Sequence, residues 1–332
     1  MLAHVLQAEG SPCPTLVLPA EALPSDEARL VPALAAIRRW LCAIGAGHVL
    51  KFAVVGRSRV PGHDLEYRFV QCLPGDEPRF ELRGSCGHSV LAAVAASGER
   101  GLVPRLRPGS RVRVAVLNNG DSIRCGVDAV TDGAVVFTVR FTRRDRPDLA
   151  DLLLLGEPRT ELRYAGGKVS ASVVSMGNPY LFVDARELGI GSTAALFGGG
   201  ERLFGALSEV RAAGERLLGW PPGAFPKVAA LLPDQDGAVA ARAVSVPSWH
   251  PTLALTGAVC VAAAAAIPGT VPALLGRPVD GLLTVTGPLG ATTVVSSVVA
   301  GRLAWVSVSP KVVRPVTVLR IPVFTRRAAL AA

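Results

Sequence analysis

The chain has 332 residues, half of them apolar and 18% charged, with a formal net charge of +9. That length suits two domains of roughly 165 residues better than one core, and the apolar content excludes a disordered chain. The excess charge is scattered in single arginines and short pairs (Arg38-Arg39, Arg143-Arg144, Arg326-Arg327), with no basic run interleaved with aromatics, which argues against a nucleic-acid partner.

In chain order, Met1 to Gly10 lacks the basic and apolar regions of a secretory signal, so a cytoplasmic protein is expected. Glu9 to Leu23 reads as a Gly/Pro turn, a short β-rich run and a polar start to a helix. Leu50 to Val55 is strand-like and carries Lys51. Gly84-Ser-Cys-Gly-His88 leads into an apolar helix over 88–97, stopped by Gly98 and Gly101. A strand, Val112 to Leu117, then meets the hairpin turn Asn118-Asn-Gly-Asp121.

The second half repeats this order. Met176 to Leu188 echoes the first turn and strand, and Pro226 to Leu232, with Lys227, echoes the lysine strand. Gly257 opens a second apolar helix over 257–267, paired with the helix at Gly87, and Leu282 to Thr286 runs into the turn Gly287-Pro-Leu-Gly290. Four elements keeping one order indicate an internal duplication. The two helices have no polar face, so each must be surrounded. We therefore expect an α/β (α+β) fold of two pseudo-symmetric domains, residues 1–160 and 161–332. Each would be a barrel-like sheet around a central apolar helix, with an active-site cleft between them. The uncharged stretch Pro251 to Gly276 is broken at Pro268-Gly269, short of the ~20 residues of a spanning helix, so it reads as core and no membrane partner is expected.

The six cysteines (Cys13, Cys42, Cys72, Cys86, Cys125, Cys260) form no CxxC pair and no zinc-like spacing with histidine, so no metal site is expected. Cys86 is the sharpest chemical candidate. At a helix N-cap a thiolate is favoured, and flanking glycine allows close approach; a packed cysteine is the plain alternative. Lys51 sits in an otherwise apolar strand, where its ammonium must pair, reach the strand end or lose its proton. A solvated strand-edge lysine is the alternative there.

Taken together, several segments resemble the PrpF family of proton-shifting isomerases, which share the diaminopimelate epimerase-like fold. They are Lys51-Phe-Ala-Val-Val55, Gly84-Ser-Cys-Gly87, Ser175-Met-Gly-Asn-Pro179, Phe225-Pro-Lys-Val-Ala229 and Leu255-Thr-Gly-Ala-Val-Cys260 running into Ile267-Pro-Gly-Thr270. The resemblance implies that Lys51 and Cys86 are the catalytic pair and that neither metal nor organic cofactor is needed. One group would remove a proton beside a carboxylate and the other would return one at the allylic position; which is the base stays open. Substrate contacts are expected from Ser11, Ser85, Gly87, His88, Asn118, Asn178, His250, Thr256 and Gly257. Anion-favouring N–H groups at Gly87 and Gly257 would assist.

Departures from the family matter too. Ser85 and His88 stand where asparagines are usual, and Val49-Leu50 replaces Thr-Ser before the lysine. Ala8 to Pro14 has lost two basic residues of the family phrase, one of them at Cys13. Gly287 to Gly290 has lost two polar groups. A substrate less charged than methylaconitate is therefore expected. The second cysteine of the epimerase branch falls at Ala254, and Cys260 reads as core. The run Gly198-Gly-Gly200 lacks the context of a dinucleotide site. The leading expectation is a double-bond isomerase acting on a small unsaturated acid or its derivative, with no partner beyond that molecule and pairing of two copies left open. A pathway enzyme performing a related cyclisation and a non-catalytic binding protein are the alternatives.

Overall fold

The computed structural model describes residues 1–75, 77–143, 146–223, 225–245 and 248–322; of the basic pairs, Arg144 and Arg326-Arg327 lie outside these. Two compact units are formed by the described residues, the first by 1–138 with the segment from Pro310 onward and the second by 139–309. The division differs from a cut at 160/161 in two ways: the stretch before 160 bridges second-unit strands at Asp148–Arg302 and Leu153–Val174, and the last strand leaves the second unit and pairs with the first strand of the chain.

The first unit contains β1 (Leu2–Ala8), β2 (Thr15–Pro19), α1 (Glu27–Ala43), β3 (Lys51–Arg57), β4 (Leu65–Leu73), β5 (Arg79–Glu81), α2 (Gly87–Glu99), β6 (Arg111–Val116), β7 (Ser122–Thr131) and β8 (Ala134–Thr142), whose end crosses into the second. The second contains β9 (Thr160–Tyr164), β10 (Gly167–Met176), β11 (Asn178–Asp184), α3 (Thr193–Phe197), α4 (Glu201–Leu217), β12 (Lys227–Pro233), β13 (Val239–Ser245) and β14 (Ser248–Trp249). It continues with α5 (Leu255–Ala265), α6 (Val271–Leu275), β15 (Leu282–Gly287), β16 (Gly290–Val299) and the first part of β17 (Arg302–Arg320).

The duplication is visible in the pairing. β1–β2 is antiparallel, β2–β3 parallel, β3–β4 antiparallel, β4–β6 parallel and β6–β7 antiparallel. The strands β10, β11, β12, β13, β15 and β16 pair in the same succession and the same senses. The equivalence extends to single residues. Gly10 and Gly177 both take positive φ, 78° and 73°, at the turn ahead of the parallel pair. Lys51 and Lys227 each open the second strand of that pair.

Each unit has a 17-residue half-exposed helix and an enclosed helix. α1 turns Leu30, Leu34, Ile37 and Leu41, spaced three and four residues apart, onto Leu16, Leu18, Phe52 and Val70 of the sheet. Asp26 caps it, accepting from the Arg29 N–H at 2.9 Å. α4 does the same in the second unit with Leu203, Leu207 and Val210. By contrast α2 is buried from Gly87 to Ser97 and α5 along its whole length, as helices without a polar face require. The Pro251 to Gly276 stretch divides into α5 and α6, and among the described residues no helix is long and apolar enough to cross a membrane.

Candidate active site

β2 and β3 run parallel with Thr15 opposite Lys51, so the lysine is the first residue of a strand flanked on both sides. Lys51 is only 6% exposed. Its ammonium donates to Ser11 Oγ at 2.8 Å, and the Ser11 hydroxyl donates to the Cys13 carbonyl oxygen, also at 2.8 Å. The turn that holds Ser11 is fixed by Gln7, whose side-chain amide donates to the Ser11 and Ala8 carbonyls at 2.9 Å. A buried ammonium thus has a defined acceptor, as burial demands.

Cys86 is the N-cap of α2, with extended backbone (φ −134°, ψ 110°), and is half-buried. Burial works against its thiolate, but the Lys51 charge, the Ser89 hydroxyl and the N–H groups of Ser89 and His88 outweigh it. The thiol is held below its ordinary value. Ser89 is fully buried and lies 2.9 Å, oxygen to oxygen, from Thr15 Oγ1. Tyr67, also buried, donates from its phenol to the Cys86 carbonyl at 3.3 Å. Cys13 feels the same lysine, yet burial prevails and raises its thiol.

Of the residues expected from sequence, Ser11, Lys51 and Cys86 come together in the first unit, with Gly87 and His88 in the first turn of α2 and Ser85 just ahead of it. Ser89, Thr15 and Tyr67 were not foreseen. A signal for Ser89 exists: it is the third helical residue after Cys86, the place from which a polar side chain reaches back to the N-cap. Asn118, expected as a hairpin signal first and a ligand contact second, has a structural role here. Its carbonyl accepts from the Phe69 N–H at 2.8 Å, and its amide donates to the Phe69 and Leu82 carbonyls, tying β4 to the segment before α2.

The remaining candidates lie in the second unit. Asn178 donates to Thr256 Oγ1 at 3.1 Å, and both side chains are buried. His250 is buried and its Nδ1 accepts from the Thr252 N–H at 3.2 Å. Helix caps correct the register of the repeat. The N-cap of α5 is Ala254, so Cys86 corresponds to Ala254 and Ser89, not Gly87, corresponds to Gly257. Gly257 is small because Tyr180 packs on it: a Cβ there would stand 2.6 Å from the phenol oxygen. Cys260 is core, as expected; its thiol donates to the Val174 carbonyl at 3.3 Å, and burial pushes it up to about 12. Among the described residues, no group of three or more His, Cys, Asp or Glu side chains gathers as a metal site.

Comparison with known proteins gives the family and the fold. The chain is 28% identical over 282 residues to YbhH of Escherichia coli (strain K12), covering 76% of this chain and 79% of that one. It is 23% identical over 295 residues to the 3-methylitaconate isomerase of Eubacterium barkeri, covering 76% and 77%. The crystal structure of a methylitaconate-delta-isomerase superposes with a TM-score of 0.67 at 21% identity, over 96% of this chain and 94% of that one. The fold is thus diaminopimelate epimerase-like. Residues 42–314 match the family described as PrpF protein, so the chain belongs to the PrpF family.

Proposed function

We propose that the chain is a cofactor-independent isomerase that moves a proton, and with it a double bond, along an unsaturated carboxylic acid or a derivative of one. The observation that carries this is Cys86, a half-buried thiol at a helix N-cap that remains easier to ionise than an ordinary thiol because Lys51 and Ser89 face it. A thiolate held by a neighbouring cation is a competent base, and general-base catalysis contributes about 10²–10⁴-fold.

In this reading the Cys86 thiolate takes the acidic proton beside the carboxylate, leaving a dienolate. The electron pair shifts to the far carbon, which receives a proton from the Lys51 ammonium, and the double bond has moved. The main-chain N–H groups at the start of α2 favour the developing negative charge. The substrate is less charged than methylaconitate, because Ala8 and Cys13 stand where the resembling family phrase carries basic side chains. The relationship to isomerases of methylitaconate and methylaconitate supports the reaction class.

The test is proton NMR in D₂O with a panel of unsaturated mono-, di- and tricarboxylic acids and their esters. Deuterium entering at an allylic carbon with the wild type, and not with Cys86→Ser, is the expected result. Exchange that survives in Cys86→Ser would remove the thiol from the mechanism.

A further inference from the structure

Cys13 is a second thiol in the same cluster, and the proton shift proposed above gives it no task. Two links fix its place. Ser11 joins the Cys13 carbonyl to the Lys51 ammonium through two hydrogen bonds of 2.8 Å, on the turn leading into β2. Thr15, the first residue of that strand, lies opposite Lys51 and is bonded at 2.9 Å to Ser89, in the first turn of the helix that Cys86 caps. These links hold the Cys13 main chain and the start of α2 on the same lysine, and both thiols feel the Lys51 charge, Cys13 feeling Cys86 as well. Ser11, Thr15, Lys51, Ser85, His88 and Ser89 are buried, whereas Cys13 and Cys86 are partly exposed.

We propose that Cys13 and Cys86 form a dithiol site that hydrogen peroxide closes to a disulfide. Cys86 reacts first, since the thiolate is the nucleophile and Lys51 stabilises it. Its sulfur attacks one peroxide oxygen, the O–O bond breaks, and hydroxide leaves and becomes water on taking up a proton. Cys86 has then lost two electrons and is a sulfenic acid. Cys13, giving up its proton, attacks that sulfur; the S–O bond breaks and the departing hydroxide takes the proton as a second water. In sum, two thiols and one peroxide give one disulfide and two waters. Cys72, Cys125 and Cys260 do not compete, because burial pushes each thiol up to about 12. The disulfide withdraws Cys86 from proton transfer; that consequence rests on the isomerase reading, whereas the thiol chemistry does not.

The intact protein, without substrate, is treated with equimolar hydrogen peroxide, then denatured for thiol counting and peptide mass mapping. The expected result is a fall from six free thiols to four, a Cys13–Cys86 linked peptide pair, and full reversal by dithiothreitol. Cys13→Ser should instead stop at a Cys86 sulfenic acid that dimedone traps. Oxidation of wild-type Cys86 to sulfinic acid with Cys13 still free, or a link to Cys42 or Cys72, overturns the proposal. Loss of isomerase activity is scored separately, so an absent substrate leaves this result intact.

Discussion

Replacing Lys51 by methionine should move stability and thiol chemistry in opposite directions. The wild-type ammonium makes one charge-assisted hydrogen bond, to Ser11 at 2.8 Å, worth about 1.5–3 kcal/mol net. Against it stands the cost of taking an ammonium out of water, several kcal/mol even after relaxation. Methionine keeps the unbranched volume and removes that cost, and the Ser11 hydroxyl keeps its bond to the Cys13 carbonyl. At neutral pH the variant should be as stable as the wild type or more stable by about 1–3 kcal/mol. Its Cys86 thiol, however, loses the largest influence that favours ionisation while burial remains, so it must rise. The assays are urea unfolding and the pH dependence of iodoacetamide alkylation, in a Cys13→Ser, Cys42→Ser background where Cys86 is the remaining partly exposed thiol. The linkage has a sign that can be checked. A thiol depressed in the folded state adds stability above its unfolded value, 9.0, and that stability is lost as pH falls through the folded value. The variant should therefore lose ground to the wild type as pH rises towards and past 9.0. A folded Lys51→Met protein with an unmoved alkylation profile would refute the coupling of Lys51 to Cys86.

Ser89→Ala should also shift the Cys86 alkylation profile upward in pH, while Ser89→Thr, which keeps the hydroxyl, should largely restore it. Asn118→Ala leaves the Phe69 main chain without its partners and should cost about 2–3 kcal/mol in denaturant unfolding. Gly257→Ala sets a methyl against the Tyr180 phenol and should destabilise by about 1–3 kcal/mol; an unchanged melting curve would count against that contact. In alkali the buried Cys72, Cys125 and Cys260 keep their protons in the fold and lose them on unfolding, so stability should fall by about 1.4 kcal/mol per pH unit per thiol between 9.0 and 12. Cys125→Val should reduce that slope by about one thiol's share.

The duplicated order, both enclosed helices and both hairpin turns were legible in the residues themselves. Gly/Pro turns and wholly apolar helices leave plain marks. Helices α1 and α4 were marked only by a polar helix start after the first strand of each half, although Leu30, Leu34, Ile37 and Leu41 keep helical spacing behind an Asp26 cap; Pro32 inside α1 breaks the apparent pattern. The Lys51–Cys86 pair was legible as two residue types in unusual surroundings, and the family resemblance connected them. Ser89, Thr15 and Tyr67 were not legible, because their roles depend on which strand start packs against which helix start. The return of β17 to pair with β1 carried no local signal either, since only the register of distant strands defines it.

Equivalent positions in the two halves differ in the groups that would favour a thiolate. In the first unit the helix start carries Cys86 as cap and Ser89 three residues on, with Thr15 bonded to Ser89. In the second, the corresponding residues are Ala254, Gly257 and Tyr180. Tyr180 stacks on Phe182 at 5.4 Å between ring centroids and occupies the space above Gly257, so an aromatic wedge takes the place of two hydroxyls. Lysine persists at both strand starts, but Lys227 lies over the Phe225 ring at 4.9 Å, where Lys51 has a serine oxygen. Position alone is not expected to make a reactive thiol there. Ala254→Cys would supply the sulfur and the helix N-terminus but not the hydroxyl of Ser89. Its alkylation profile should stay above that of Cys86, and a profile matching Cys86 would show that the helix end suffices without Ser89.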